Sequence, residues 1–187
     1  MRLTLPQLAM VVGLVSLTFF FSALVLAFGL RIGEQRDWQT FRTPDILWFG
    51  TAVLVASSAL LEAARYSLRR ALVSIYRLRI ALAVLLAVIF LCIQAVTAAN
   101  LWSQGVSASA NPRGSAFYIF MGIHAAHLVV GMGWLGWLWL LSGKLKQTTE
   151  QGLRRQRRTV GAAAMFWHFM GALWLVLFFF LRRWTAA

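Results

Sequence analysis

The chain has 187 residues, 60% of them hydrophobic and 12% charged, with a formal net charge of +13. Soluble domains carry about 25% charged residues, so a water-exposed globule is excluded, and long apolar runs without period-2 alternation exclude an outer-membrane barrel. What remains is an all-α, polytopic membrane helix bundle, read as a single transmembrane domain over 1–187.

Five runs are long enough to cross about 30 Å of hydrocarbon at about 1.5 Å per residue. The first, about 8–30, follows Met1 and Arg2 in the manner of a signal peptide. It exceeds the roughly 7–15 residues of a signal core and lacks a clear small-residue cleavage site, so it is expected to stay as a spanning helix. The second run, about 46–66, follows Thr43-Pro44. The third is about 79–102 and contains Cys92, a lone cysteine that cannot form an internal disulfide. The fourth, about 116–141, follows Asn111-Pro112, and the fifth is about 161–182. A proline restricts the residue before it, so both prolines mark helix boundaries. No internal repeat or interdomain linker is visible.

Lys and Arg fall almost entirely between the runs, which makes the charge a topology signal and argues against a nucleic-acid partner. Arg2, Arg65 with its loop through Arg79, and Lys144 through Arg158 place twelve basic residues on one side, and the remaining six lie on the other. The bias predicts the N-terminus inside and the C-terminus outside. The run Arg154-Arg155-Gln156-Arg157-Arg158 is expected to anchor anionic headgroups of the inner leaflet.

Ionisable groups inside spans are costly, so each is a candidate site. His124 and His127 lie three residues apart on the fourth helix and share a face, while His168 lies in the fifth. Helix arithmetic puts His127 about 21 Å and His168 about 10 Å from their inner ends. That offset weighs against a haem shared between the two helices and favours interhelical hydrogen bonding. No Cys or carboxylate stands at ligand spacing to complete a metal shell. Glu62 is the one carboxylate within a run, close to the inner interface, with Arg65 placed three residues on to pair with it. Apart from these the spans hold merely polar groups such as Ser57, Gln94 and Thr97, which do not make a proton relay. Gly131-Met-Gly133-Trp-Leu-Gly136 matches a dinucleotide fingerprint but sits mid-span without a preceding strand, so these glycines are read as points of close approach by a neighbouring helix or lipid.

At the last two spans the chain resembles subunit III of the haem-copper terminal oxidases, the family of cytochrome c and quinol oxidases. Gly114-Ser-Ala-Phe-Tyr-Ile-Phe-Met-Gly122-Ile-His124-Ala-Ala-His127-Leu-Val-Val-Gly131 is similar to that family's G-S-x-F-x-x-x-x-G-x-H-G-x-H-x-x-x-G segment. Phe166-Trp167-His168-Phe169 with Trp174-Leu175 resembles its closing Y-W-H-F-V-D-x-x-W-L. Weaker echoes lie at Ser16 to Leu24, at Thr51 with Ser57-Ser58, and at Gln94, and five spans fit the short bacterial form. Three positions depart from the pattern, each by loss of an acid: Leu17, Gly171, and Thr97 or its neighbour.

The resemblance implies a non-catalytic integral subunit of the bacterial inner membrane, with no haem or copper of its own. Those cofactors would lie in subunits I and II, the first being the main contact, within a respiratory assembly. It further implies bound phospholipid and support for the stability and proton uptake of the larger subunit. On that reading His124, His127, His168 and Trp167 hold the fourth and fifth helices together, Glu62 meets a headgroup or a neighbouring loop, and Arg65 and Gln94 serve as structural or lipid contacts. The missing acids keep open a subunit III-like accessory protein of nitric oxide reductase, and outside the family a small b-type cytochrome or a transporter.

Overall fold

A computed structural model describes residues 5–32, 43–106, 112–143 and 150–186. Five helices run through it: α1 (Leu5–Ile32), α2 (Ile46–Arg69), α3 (Val73–Ser103), α4 (Pro112–Leu141) and α5 (Glu150–Ala186), each long and apolar enough to cross a membrane. No strand occurs among the described residues. Hydrocarbon offers no partner to a free amide, so each run must close its own backbone hydrogen bonds as helix. Arg2, Arg36, Arg42, Lys144 and Lys146, used in the charge count, and Asn111 lie outside the described residues.

Two boundaries differ from the sequence reading. α3 begins at Val73, six residues before the expected start, and α5 at Glu150, eleven before it. Both extensions carry arginines, which ended the apolar runs but not the helices. Their heads find partners on neighbouring elements: Arg77 lies with its guanidinium carbon 4.9 Å from the centre of the Trp139 ring of α4, and Arg157 donates to the Leu68 and Arg69 carbonyls at 3.2 and 3.1 Å. Arg79, the expected first residue of the run, donates to the Ala63 carbonyl at 2.7 Å and to the Ser67 hydroxyl. At 37 residues α5 is about 55 Å long, well beyond the bilayer's apolar thickness.

The helices run alternately up and down. α2 packs on α3, α3 on α4, α4 on α5 and α5 back on α2, a closed four-helix ring with α1 outside it against α5. Phe21 and Phe28 of α1 reach His127 and Phe120 of α4, at ring separations of 6.0 and 5.6 Å. Only 6% of the most apolar window of α1 is buried, against 33–44% for the other four spans. The core of the ring is Leu54, Leu61, Phe90, Phe117, Trp167, Trp174 and Phe178, all essentially inaccessible.

Both ends of the α2–α3 hairpin close in the same way. After α3, Val106 donates to Leu101 and Gly105 to Trp102, with Gly105 at φ 83°. After α2, Leu72 donates to Ser67 and Ala71 to Leu68, with Ala71 at φ 57°. This pairing satisfies the last carbonyls of a helix, but it requires a left-handed residue that glycine adopts without steric cost. Gly131 answers a different demand. A Cβ there would stand 2.9 Å from Phe166 and 3.1 Å from Trp167 of α5, whereas Gly133 and Gly136 face open space. Of the three glycines in the fingerprint-like stretch, only Gly131 admits a neighbouring helix.

Ala71→Gly is therefore expected to raise stability in detergent by about 0.5–1 kcal/mol, read from the thermal unfolding midpoint. Gly131→Ala and Gly133→Ala gain the same helix propensity, so their difference reads the packing cost alone. We expect Gly131→Ala to be the less stable of the two by about 1–3 kcal/mol.

Candidate functional site

The polar groups of the membrane region concentrate where α2 meets α5. Because the two run antiparallel, side chains meet in sequence as α2 descends and α5 ascends. At one end Arg182 pairs with Asp45 at 3.2 Å. Trp174 then donates its indole N–H to the Thr51 hydroxyl at 3.0 Å, and Thr51 passes its own hydrogen to the Leu47 carbonyl at 2.8 Å. A Cβ at Gly171 would lie 3.6 Å from the Ser58 hydroxyl. One turn further, His168 Nε2 stands 2.8 Å from Glu62 Oε1, and Arg65 grips the same oxygen from its own helix. At the basic end Arg157 closes the last carbonyls of α2.

Glu62 is thus met by two groups, a permanently charged guanidinium and an imidazole, and it remains half exposed on the outer flank of the bundle. Above it α5 floors two adjoining grooves that share Ala172. The one toward α2 encloses about 240 Å³ and is lined by Thr51, Ser58 and His168 among apolar neighbours. The one toward α1 encloses about 430 Å³ and is walled by Phe21, Val25, Phe169 and Leu173.

The other candidates lie apart from this seam. His124 is fully buried on α4, its ring 5.2 Å from Trp174 and 6.3 Å from Phe90. Neither of its nitrogens has a hydrogen-bond partner among the described residues, and the same holds for the buried Gln94 amide, the Thr97 hydroxyl and the Trp167 N–H. His127 lies 2.7 Å by Nδ1 from the Ile123 carbonyl of its own helix and turns its ring toward Phe21. Trp167 seats against Gly131. The three imidazoles therefore have three different surroundings, and the structure does not bring them together. His168 ties α5 to α2 rather than to α4, and His127 faces α1. Of the four, Trp167 and His124 lie between α4 and α5, through ring packing on Gly131 and Trp174. The reason is rotational: His168 sits one residue beyond Trp167, about 100° around the helix, so the two cannot face the same neighbour. No group of three or more His, Cys, Asp or Glu that could hold a metal occurs among the described residues.

Two connections escape the sequence reading. Thr51 with Trp174 is one, and its only signal is that Trp174 follows Trp167 by seven residues and shares its face. The second joins three helices: Gln156 of α5 donates to the Tyr76 hydroxyl of α3 and to the Leu138 carbonyl of α4, both at 3.2 Å. A buried glutamine inside an arginine-rich run was its one visible sign.

The protein-family model for cytochrome c oxidase subunit III matches residues 5–186, all five helices and the whole seam. The chain belongs to this family. Among curated relatives it is 26% identical over 162 residues to a probable quinol oxidase subunit 3 of Staphylococcus haemolyticus, covering 86% of this chain and 77% of that one. It is 29% identical over 179 residues to a probable cytochrome c oxidase subunit 3 of Rickettsia conorii, covering 90% and 60%. A cytochrome c oxidase subunit 3 of Corynebacterium diphtheriae is 30% identical over 128 residues, covering 68% and 60%. Family membership and five spans make the chain a multi-pass membrane subunit of a haem-copper oxidase. The carboxylates of this seam, Asp45 and Glu62, both come from the α2 side.

A double-mutant cycle tests the buried link of the seam. Thr51→Val and Trp174→Phe should each lower the thermal midpoint of the detergent-solubilised protein, with a coupling of about 0.5–1.5 kcal/mol between them. Additive losses would show that the hydrogen bond contributes nothing.

Proposed function

We propose that the chain is a non-catalytic subunit III of an aerobic terminal oxidase in a bacterial inner membrane, with its N-terminus inside. In this reading it packs on the catalytic subunit I, with subunit II in the same assembly, holds phospholipid in the cleft made by α1, α2 and α5, and supports the stability and proton uptake of its partner. Haem and copper belong to those partners. The observation that carries the lipid role is the 430 Å³ groove between α1 and α5, whose walls from Thr18 to Leu26 and from Phe169 to Leu177 are almost wholly apolar. It is about 12 Å long at the helical rise, suited to a stretch of acyl chain, and the neighbouring groove leads to His168 and through it to Glu62 and Arg65. An ester or headgroup lying over that pocket would find cationic and acceptor groups together. The Glu62–His168 contact at 2.8 Å is the feature of the seam that supports a part in proton uptake.

The orientation rests on the positive-inside bias, which the fold strengthens by gathering Arg69, Arg70, Arg77, Arg154, Arg155 and Arg158 at one end of the bundle. Closely packed side chains of α1 are few, and an exposed apolar flank of this kind, with Phe19, Leu26 and Leu30 outward, fits burial against lipid or a larger membrane subunit.

A tagged copy drawn from native membranes in mild detergent is expected to bring down a haem-copper subunit I, identified by mass spectrometry. All haem absorbance in a reduced-minus-oxidised spectrum should leave with that partner when it is stripped. A nitric oxide reductase in its place would move the chain to the accessory branch, and stoichiometric haem on the stripped chain would overturn the cofactor-free reading. His127→Leu, which removes a ring held against Phe21 of α1, should weaken co-purification while leaving the partner's spectrum intact.

A further inference from the structure

At the basic end of the bundle, on the side away from the α1–α2 cleft, the first turn of α3 and the last residues after α4 enclose a cavity of about 360 Å³ lined by Val73, Ser74, Arg77, Ser142 and Gly143. Its lining differs from that of the two grooves along α5: hydroxyl and guanidinium groups replace the aromatic and aliphatic walls. No carboxylate lines it among the described residues.

Arg77 is held there in one orientation. Its guanidinium carbon lies 4.9 Å from the centre of the Trp139 ring, within cation–π range. Its Nη1 lies 3.1 Å from the point where a Cβ on residue 143 would stand. A side chain at residue 143 would share that space with the guanidinium, and glycine leaves it free. The other arginines of this end that touch the bundle are committed elsewhere: Arg65 to Glu62, Arg79 to Ala63 and Ser67, Arg157 to the end of α2, and Arg70 to the Tyr66 ring. Arg77 is engaged through the Trp139 ring, and its side chain lines the cavity. Ser74, three residues earlier on the same helix face, adds a hydroxyl donor. Ser142 gives its hydrogen to the Trp139 carbonyl, so its oxygen adds no donor.

A pre-oriented guanidinium beside a hydroxyl, with no acid to neutralise it, selects an anion, and the planar fork favours the paired oxygens of a phosphate. The cavity is far larger than a halide requires. It lies where α3 enters and α4 leaves the apolar layer, the level at which phosphodiesters of a leaflet are found. We propose that Arg77, Ser74 and the Gly143 end of α4 form a binding site for a phosphate-bearing anion, either an anionic phospholipid headgroup or free phosphate.

The site is tested on the assembled oxidase reconstituted in phosphatidylcholine nanodiscs. One sample is titrated with phosphatidylglycerol, with bound lipid counted by native mass spectrometry, and another with inorganic phosphate, followed by ³¹P line broadening. Three variants are compared with the unaltered chain: Arg77→Gln, Gly143→Val, which keeps every charge but fills the cradle, and Arg69→Gln, an exposed arginine outside the cavity. One tightly held phosphatidylglycerol per chain, weakened about tenfold or more by Arg77→Gln and Gly143→Val but unchanged by Arg69→Gln, assigns a lipid site. The same dependence seen only with inorganic phosphate assigns a free-phosphate site. Binding of both probes that is indifferent to Arg77→Gln and Gly143→Val, or equally sensitive to Arg69→Gln, overturns the proposal. Should Arg77→Gln fail to assemble, Gly143→Val decides alone.

Discussion

Inside hydrocarbon a backbone amide has no partner but its own helix, so the helices of this chain can be joined only by side chains. A large share of the polar part of that joining falls to α5. It alone meets α1, α2 and α4, and it carries Arg157, His168, Trp174 and Arg182, each of which reaches a group on α2. The ring of four helices closes only because α5 returns to α2. Remove that return and α2–α3 and α4–α5 become two hairpins joined through α3 and α4. The groove floors at Ala172 and Gly171 would lose one wall with it.

Polar bonds within a membrane contribute modestly, about 0.6 kcal/mol on average, and the seam spreads its polar pairs along the whole contact between α2 and α5. Their value is as much in register as in energy. Trp174 on Thr51 and His168 on Glu62 fix rotation and translation of α5 together, because a shift of one residue would turn both side chains away. Apolar surfaces alone would tolerate such a slip, since lipid tails and leucines are equivalent solvents for one another.

Much of this was legible in the residues. Five spans follow from the apolar runs, and Glu62 with Arg65 follows from a spacing of three. The early starts of α3 and α5 were hidden, because arginines read as loop in a sequence and as helix when a neighbouring carbonyl receives them. Arg157 is such a case. The meeting of His168 with Glu62 was also hidden: it depends on which face of α5 turns toward α2, and an almost uniformly apolar span does not announce its faces. Gly131 and Gly133 make the same point in two residues. Alike in sequence, they part only when Trp167 is placed against one of them.

The shallow docking of α1 bears on how the protein is made. Its contacts, Phe120, His127 and the face of α5, belong to the last two helices, so α1 enters the bilayer long before anything exists for it to rest upon. A span with a polar stripe would be a hazard during that wait. α1 shows little of one: Ser16 and Thr18 spend their hydroxyls on carbonyls of their own helix, and most of the rest of its described surface is hydrocarbon. It is suited to stand in lipid first and join the bundle afterwards, and the α1–α5 groove has its second wall only once α5, the last helix, is in place.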